Sequence, residues 1–368
     1  MARDDSQEPR PSSTRRGLIA AAVLAAGLAV STVYAEEAIA PAPATATTLI
    51  EVTAKPISQF TRGLLSSEKR FGKLEFRGGL VLSSSSSIFG GLSGLVMDAD
   101  GQRFMAVSDE TGWLSGEIVY EGTAPSAIKN ARMGAIRGVG GKPLDKKRDL
   151  DAEAITLLDG NFTRGTVLIG FERNHRIGRF PVINGELQNP VGYLKLPPEA
   201  KRMRANKGFE AVTVLQGGPY KGSVIAFSER YPDNPAQHTG WLWIKGEPQR
   251  LGFPEIGGFD VTDATSLTDG TLLVLERRFR WTEGVKMRIR RFAPDQVRPS
   301  ALMQGDVLIE ADLSSEIYNM EGLAWHRSAN GEIILSLISD DNFNHFLQRT
   351  ILLQFALIDQ AKAAAARP

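Results

Sequence analysis

Short apolar runs alternate with turns containing Gly, Asn or Asp along most of the chain, and stretches with helical periodicity are few. Runs such as Phe104–Val107, Val167–Phe171, Val224–Phe227, Leu272–Leu275 and Ile333–Ile338 read as strands. Five segments repeat one plan, a short strand, a Gly-containing turn and a second apolar strand. Their starting residues fall at 93, 153, 210, 263 and 321, in steps of 60, 57, 53 and 58. The turns hold Asp100-Gly101, Asp159-Gly160, Gly217-Gly218, Asp269-Gly270 and Asn330-Gly331, all strong hairpin signals. Each unit leaves room for two further strands, for example Trp241–Ile244 and Met287–Phe292. Four strands per repeat of this length is the blade of a β-propeller. The 333 residues from Glu36 onward, divided by the mean step of 57, predict six blades. The sixth is expected to be composite, built from the 49–82 region and Ile351–Leu357, so that the two chain ends close the ring and hide the sheet edges. A pair of β-sandwiches is the competing architecture and gives no reason for such a repeat.

The repeat also places acids in pairs. Residues equidistant from a hairpin turn face each other. The midpoints of Ser93/Asp109, Glu153/Glu172, Glu210/Glu229, Asp263/Glu276 and Glu321/Asp340 all fall in or on the turns. Each pair therefore sits at the open end of its hairpin, and blade symmetry gathers the open ends around one channel mouth. Nine acids form this expected ring, Asp109, Glu153, Glu172, Glu210, Glu229, Asp263, Glu276, Glu321 and Asp340, with Asp151, Asp260 and Asp341 close by. So many carboxylates repel one another and raise each other's pKa. Hard cations such as Ca²⁺ can relieve this through carboxylate oxygens. Pairing with Arg173, Arg230 and Arg277, or protonation, relieves it equally. A purely architectural role, with the acids accepting bonds from neighbouring loops, remains the alternative.

Composition narrows the chemistry. With no Cys, disulfides, thiolate metal sites and a Cys nucleophile are excluded. The chain carries 43 Lys+Arg and 42 Asp+Glu, without the excess positive charge of a general nucleic-acid binder. Residues 1–35 read as an export signal: a polar start ending in Arg15-Arg16, an apolar run from Gly17 to Val30, and small or apolar residues before Glu36. Thr14–Ile19 also resembles a twin-arginine signal, against a general secretory signal or an uncleaved anchor. Removing residues 1–35 leaves 39 basic and 39 acidic residues, so any function rests on local charge patterning. The expected organisation is a signal over 1–35, a flexible lead-in over 36–48, a propeller over 49–358 and a loose tail over 359–368. Periplasmic or secreted location follows, with no membrane span after cleavage.

Several motifs carry a family resemblance. Ser-Gly-Leu with Val-Ser-Asp-Glu, Asp-Ala-Glu-Ala-Ile with Phe-Glu-Arg-Asn-His-Arg-Ile, Gly-Phe-Glu-Ala-Val with Phe-Ser-Glu-Arg, and Met-Glu-Gly-Leu-Ala with Ile-Ser-Asp-Asp-Asn-Phe together resemble the phytase-like family, described as having esterase-like activity of phytase. The resemblance spans roughly Phe89 to Phe355. It implies an exported bacterial propeller and ester or phosphoester hydrolysis. The similar β-propeller phytases hold calcium on acids near the channel mouth, though no individual ligand is carried over.

Other chemistries are poorly supported. There is no Gly-x-Ser-x-Gly elbow, Walker A loop or dinucleotide fingerprint, and His175, His238, His326 and His345 are dispersed without zinc-site spacing. The candidate catalytic set is Glu172, Arg173, His175, Glu229, Arg230, Glu276 and Arg277. Arg173, Arg230, Arg277 and Lys207 are expected to receive an anionic ester, Lys207 closing a basic loop with Lys201, Arg202 and Arg204. In each Glu-Arg pair the acid is expected to face the channel and the arginine to curl over the mouth. Two function classes result: a calcium-dependent phosphoester or ester hydrolase taking a small anionic substrate, and a non-catalytic envelope protein binding a ligand or partner on the propeller face.

Overall fold

The computed structural model describes residues 43–63, 67–344 and 347–358. The expected signal segment, the tail and His345 lie outside the described residues. From Ala44 onward the chain forms five antiparallel sheets arranged as blades. Blade 1 comprises Leu92–Met97, Arg103–Ser108, Gly112–Glu121 and Ala124–Gly134, with Thr48–Leu49 added at its outer edge. Blade 2 comprises Ala152–Gly160, Arg164–Phe171 and Arg176–Ile183, edged by Glu186–Leu187 and Gly192–Tyr193. Blade 3 runs through Phe209–Val214, Val224–Ser228, Gln237–Ile244 and Glu247–Pro254, and blade 4 through Asp260–Ser266, Leu272–Arg280, Gly284–Phe292 and Asp306–Ala311. Blade 5 joins Asn319–Arg327, Ile333–Asp340 and Thr350–Leu357 to Leu74–Ser83, with Thr53–Ile57 outermost.

The ring therefore has five blades, not the expected six. Both terminal strands are used as expected for closure, but they complete blade 5 rather than form a sixth. Among the described residues the last repeat supplies three strands, and Leu74–Ser83 pairs with Thr350–Leu357 to provide the fourth. Dividing length by repeat step counted the residues before the first repeat as a further blade, whereas Thr48–Leu49 joins blade 1 and Thr53–Ile57 and Leu74–Ser83 join blade 5. The first strand of each blade packs against the first strands of both neighbours, which closes the ring. Of the lead-in, Ala44 is buried and donates to the Thr111 carbonyl, so the described part lies along blade 1.

The alternation explains the core. Both faces of the second strands are covered by adjacent blades, so their central runs are apolar; Leu272–Leu275 and Val224–Phe227 are buried without interruption. Small residues stand where inner strands approach most closely. A Cβ on Gly94 would lie 2.9 Å from the Ile155 nitrogen of blade 2, and one on Gly322 would lie 3.0 Å from the Leu95 nitrogen of blade 1. These glycines, with Ala154 and Ala211 at the same repeat position, allow the blades to meet; in blade 4 that position is Asp263.

Candidate functional site

Every inner hairpin carries a register shift at the same place. The unpaired residue is Ser93 in blade 1, Glu153 in blade 2, Glu210 in blade 3, Thr262 in blade 4 and Glu321 in blade 5. A bulge bends the strand and re-aims one side chain, and here it occurs at the end of each inner strand that opens on the mouth. On the second strands the corresponding residues, just beyond the bulge pairing, are Asp109, Glu172, Glu229, Arg277 and Asp340. Apart from Thr262, all of these residues line one cavity of about 690 Å³.

Four of the five predicted pairs thus meet at the mouth: Ser93/Asp109, Glu153/Glu172, Glu210/Glu229 and Glu321/Asp340. The blade 4 pair does not. Asp263 is buried between blades and accepts the backbone N–H of Leu323 at 2.7 Å and of Ala264 at 2.8 Å. Glu276 is fully buried inside blade 4 on Arg288, Arg290 and His238. The pair 262/277 has the same midpoint as 263/276, so equidistance from the turn cannot separate them. A one-residue offset reverses every side chain, and it brings Arg277 to the mouth in place of an acid.

The Glu-Arg motifs do not act alike. Glu172 and Glu229 face the cavity, while Arg173 turns aside to Asp151 (2.6 Å) and Arg230 reaches Asp260 of blade 4 (2.6 Å). Neither arginine is among the lining residues, which corrects their expected position over the mouth; the strands end at Phe171 and Ser228, before the acid, and each arginine follows in the turn and swings to a carboxylate outside the cavity. Arg277 does line the mouth, 3.2 Å from Glu321. Lys207 lines it too, ion-paired with Glu229. His175 is half-buried against Gly208 and Phe209, off the lining. Arg202 of the basic loop pairs with Asp233.

Residues not singled out from the sequence complete the site. Lys147, in the four-residue helix Lys147–Leu150 between blades 1 and 2, contacts Asp109 (2.7 Å), Glu110 (3.0 Å) and Asp151 (2.6 Å). Its spacing of four residues from Asp151 was the available signal. Arg62, Asn206, Asn319 and Asn342 also line the cavity.

The electrostatics follow from burial and crowding. Burial pushes the Glu321 carboxyl up to about 7, with Arg277 opposing and Glu229 adding to the rise. Burial raises Asp109 to about 6 against the pull of Lys147. Glu153, Glu210 and Asp340 are raised well above the usual carboxylate range, again chiefly by burial and then by neighbouring carboxylates. Two groups of three carboxylates have oxygens within 4.8 Å of one another: Glu172/Glu210/Glu229 and Asp109/Asp151/Glu153. The donors are all hard oxygens, and Asp109 Oδ1 is buried with no hydrogen-bond partner among the described residues. Both facts fit a hard divalent cation. Equally, Glu172 Oε1 accepts the Gly208 N–H at 2.8 Å, a tie between blades 2 and 3.

The exposure of the arginine pairs yields a stability prediction. Arg230 and Arg173 are 48% and 42% exposed in their ion pairs, and Asp151, the buried partner of Arg173, keeps Lys147 at 2.6 Å, so replacing either by Gln should cost less than about 1 kcal/mol. Arg277, at 24%, should cost more. Urea titration of the three variants gives the order; a larger loss for Arg230→Gln than for Arg277→Gln contradicts it.

A propeller with a crowded carboxylate mouth is the class of protein that this fold and site define. The family model for phytase-like proteins, described as esterase-like activity of phytase, matches residues 87–343, and the chain belongs to that family. No curated protein matches the sequence. Among solved structures, the chain is similar to a hypothetical protein from Leishmania major (11% identity, 72% of this chain and 85% of that one, TM-score 0.38). It is also similar to a gluconolactonase from Xanthomonas campestris (9%, 85% and 98%, TM-score 0.35) and to YCF48 bound to D1 peptide (14%, 87% and 99%, TM-score 0.32). At these scores the likenesses carry no argument about function.

Proposed function

We propose that the mouth is an ester-hydrolysing centre, acting on phosphoesters or carboxylesters with a hard divalent cation such as Ca²⁺. The carrying observation is the Glu172/Glu210/Glu229 group, three buried carboxylates with oxygens within 4.8 Å in a cavity of about 690 Å³. Family membership supports the hydrolase class. Glu172, Glu210 and Glu229 would hold the cation, with Asp109, Asp151 and Glu153 as a second group. A cation bound there would polarise the ester and neutralise developing negative charge. Around it, Arg277, Lys207 and Arg62 are the lining cations that would orient an anionic group. Glu321, raised to about 7, is suited to give a proton to a leaving oxygen and recover it near neutral pH. Export through residues 1–35, placing this chemistry outside the cytoplasm, is part of the same reading; N-terminal sequencing of the mature protein would test it.

The assay is turnover of a chromogenic phosphomonoester and a chromogenic carboxylester, with calcium and with chelator. Activity with calcium, its loss in chelator, and a fall of about 100-fold in Glu210→Gln are expected. The second reading, a non-catalytic binding propeller, is favoured by one feature: each lining cation already has a carboxylate partner and Glu172 bonds backbone. No turnover of either ester, with folding intact, would select it.

A further inference from the structure

The mouth is two-sided. Blades 1–3 contribute Asp109, Glu153, Glu172, Glu210 and Glu229, an acidic wall, and blades 4 and 5 with their connections contribute the apolar Phe279, Val285, Leu313, Tyr318 and Leu347 beside Arg277, Glu321 and Asp340. The apolar wall arises from one departure from the repeat. In blades 1 and 2 the hairpin joining the second and third strands closes at Ser108↔Gly112 and Phe171↔Arg176. In blade 4 the ladder continues beyond Arg277 to Arg280↔Gly284, so the hairpin rises above the mouth. Alternation puts Arg277 and Phe279 on the cavity side and Arg278 and Arg280 on the other. There Arg278 and Arg280 donate to the Gly257 carbonyl (2.8 and 3.2 Å), and Glu283 binds Arg280 and Lys286. The outer face of the hairpin is thus braced, while its inner face leaves Phe279 51% and the adjoining Leu313 43% exposed.

Charge limits what this mouth can accept. Its lining cations, Arg62, Lys207 and Arg277, are paired with Glu316, Glu229 and Glu321, and the lining carboxyls outnumber them. A polyanion would find more carboxylate than available cation, whereas a single anionic group met by a cation on the acidic wall leaves its organic part against the apolar wall. We infer that the substrate is a singly phosphorylated ester of an apolar, aromatic or aliphatic alcohol, not a polyphosphorylated polyol, and that Phe279, Val285 and Leu313 receive its apolar part. This rests on the reading of the mouth as an ester site.

Calorimetric titration with 1-naphthyl phosphate, glycerol 2-phosphate and fructose 1,6-bisphosphate in calcium tests it, with turnover followed on the same samples. The naphthyl ester should bind at least about tenfold more tightly than either sugar-like probe, as one well-placed apolar group permits. Phe279→Ala and Leu313→Ala should each remove most of that advantage and leave glycerol 2-phosphate unchanged. Both residues are partly exposed, so the variants should fold, which melting curves check. Ile183→Ala, an exposed apolar residue paired with Arg164 beside the far turn, should change nothing. Equal affinity for the probes, tighter binding of the bisphosphate, a preference that survives both substitutions, or no binding of the naphthyl ester overturns the inference. A naphthyl preference without hydrolysis supports it and removes the hydrolase reading instead; equally efficient hydrolysis of both monoesters, at equal affinity, does the reverse.

Discussion

Replacing Glu276 by Gln should destabilise the propeller by about 3–5 kcal/mol, as expected when one partner of a buried ion pair is removed. Glu276 is fully buried in the second strand of blade 4 and takes a two-pronged bond from Arg288, 2.9 Å to Nε and 3.0 Å to Nη2. Arg290 stands 3.7 Å away, also buried. Both arginines then reach across to blade 3, Arg288 to the Ile256 carbonyl (3.0 Å) and Arg290 to the Pro254 carbonyl (2.8 Å). Gln keeps the shape but leaves two buried guanidinium groups without a counter-charge. The pH dependence has a definite sign. Burial alone would raise the Glu276 pKa, but His238, Arg288 and Arg290 outweigh it and the net shift is downward. Its stabilisation is therefore present above the unfolded value of about 4.3 and is lost as pH falls through the lower folded value. Urea titrations at neutral pH measure the loss. A change below about 1 kcal/mol would mean that the cluster is not a charged fastener. The double variant Glu276→Gln/Arg288→Met should recover part of the loss, because it removes one of the stranded charges.

The same residue shows how far the sequence could be read. The acid ring was legible because a hairpin relates residues by distance from its turn, and that arithmetic holds for four blades of five. It fails in blade 4 because 262/277 and 263/276 share a midpoint, and only the bulge, absent from any hydrophobic pattern, decides between them. Arg277 at the mouth and Glu276 in the core are one consequence. The blade count failed for a different reason. Strand signals around 74–83 and 350–357 are real, but pairing between the chain ends is long-range, and nothing local says whether two terminal strands found a new blade or finish an old one. Lys147 escaped notice because two of its three carboxylate partners, Asp109 and Glu110, lie in the preceding blade and meet it only once the chain has folded. The apolar wall was invisible for the converse reason: Phe279 looks like an ordinary strand residue until the hairpin is seen to outgrow its equivalents.

In chelator, the protein should lose stability as pH rises from about 5 to about 8, the opposite trend to the one Glu276 imposes at acid pH. Glu321 carries the prediction. Burial holds its carboxyl up to about 7, above the ordinary glutamate value. A raised acid contributes stability that is fully present below its unfolded pKa and is lost as pH climbs through the folded one. At 1.36 kcal/mol per pKa unit this amounts to about 3 kcal/mol from Glu321 alone. Asp109, raised to about 6, acts in the same direction. The loss should appear as a drop in melting temperature of roughly 5–10 °C. If the mouth holds a divalent cation, millimolar-range calcium should reverse most of that drop at pH 8 and little of it at pH 5, because the metal and the protons compete for the same oxygens. Glu210→Gln should blunt the calcium response. A melting temperature that is flat from pH 5 to 8 would show that the carboxyls are satisfied by Lys147, Lys207 and Arg277 alone. A pH-dependent drop that calcium leaves untouched would keep the crowded mouth but remove the metal from it.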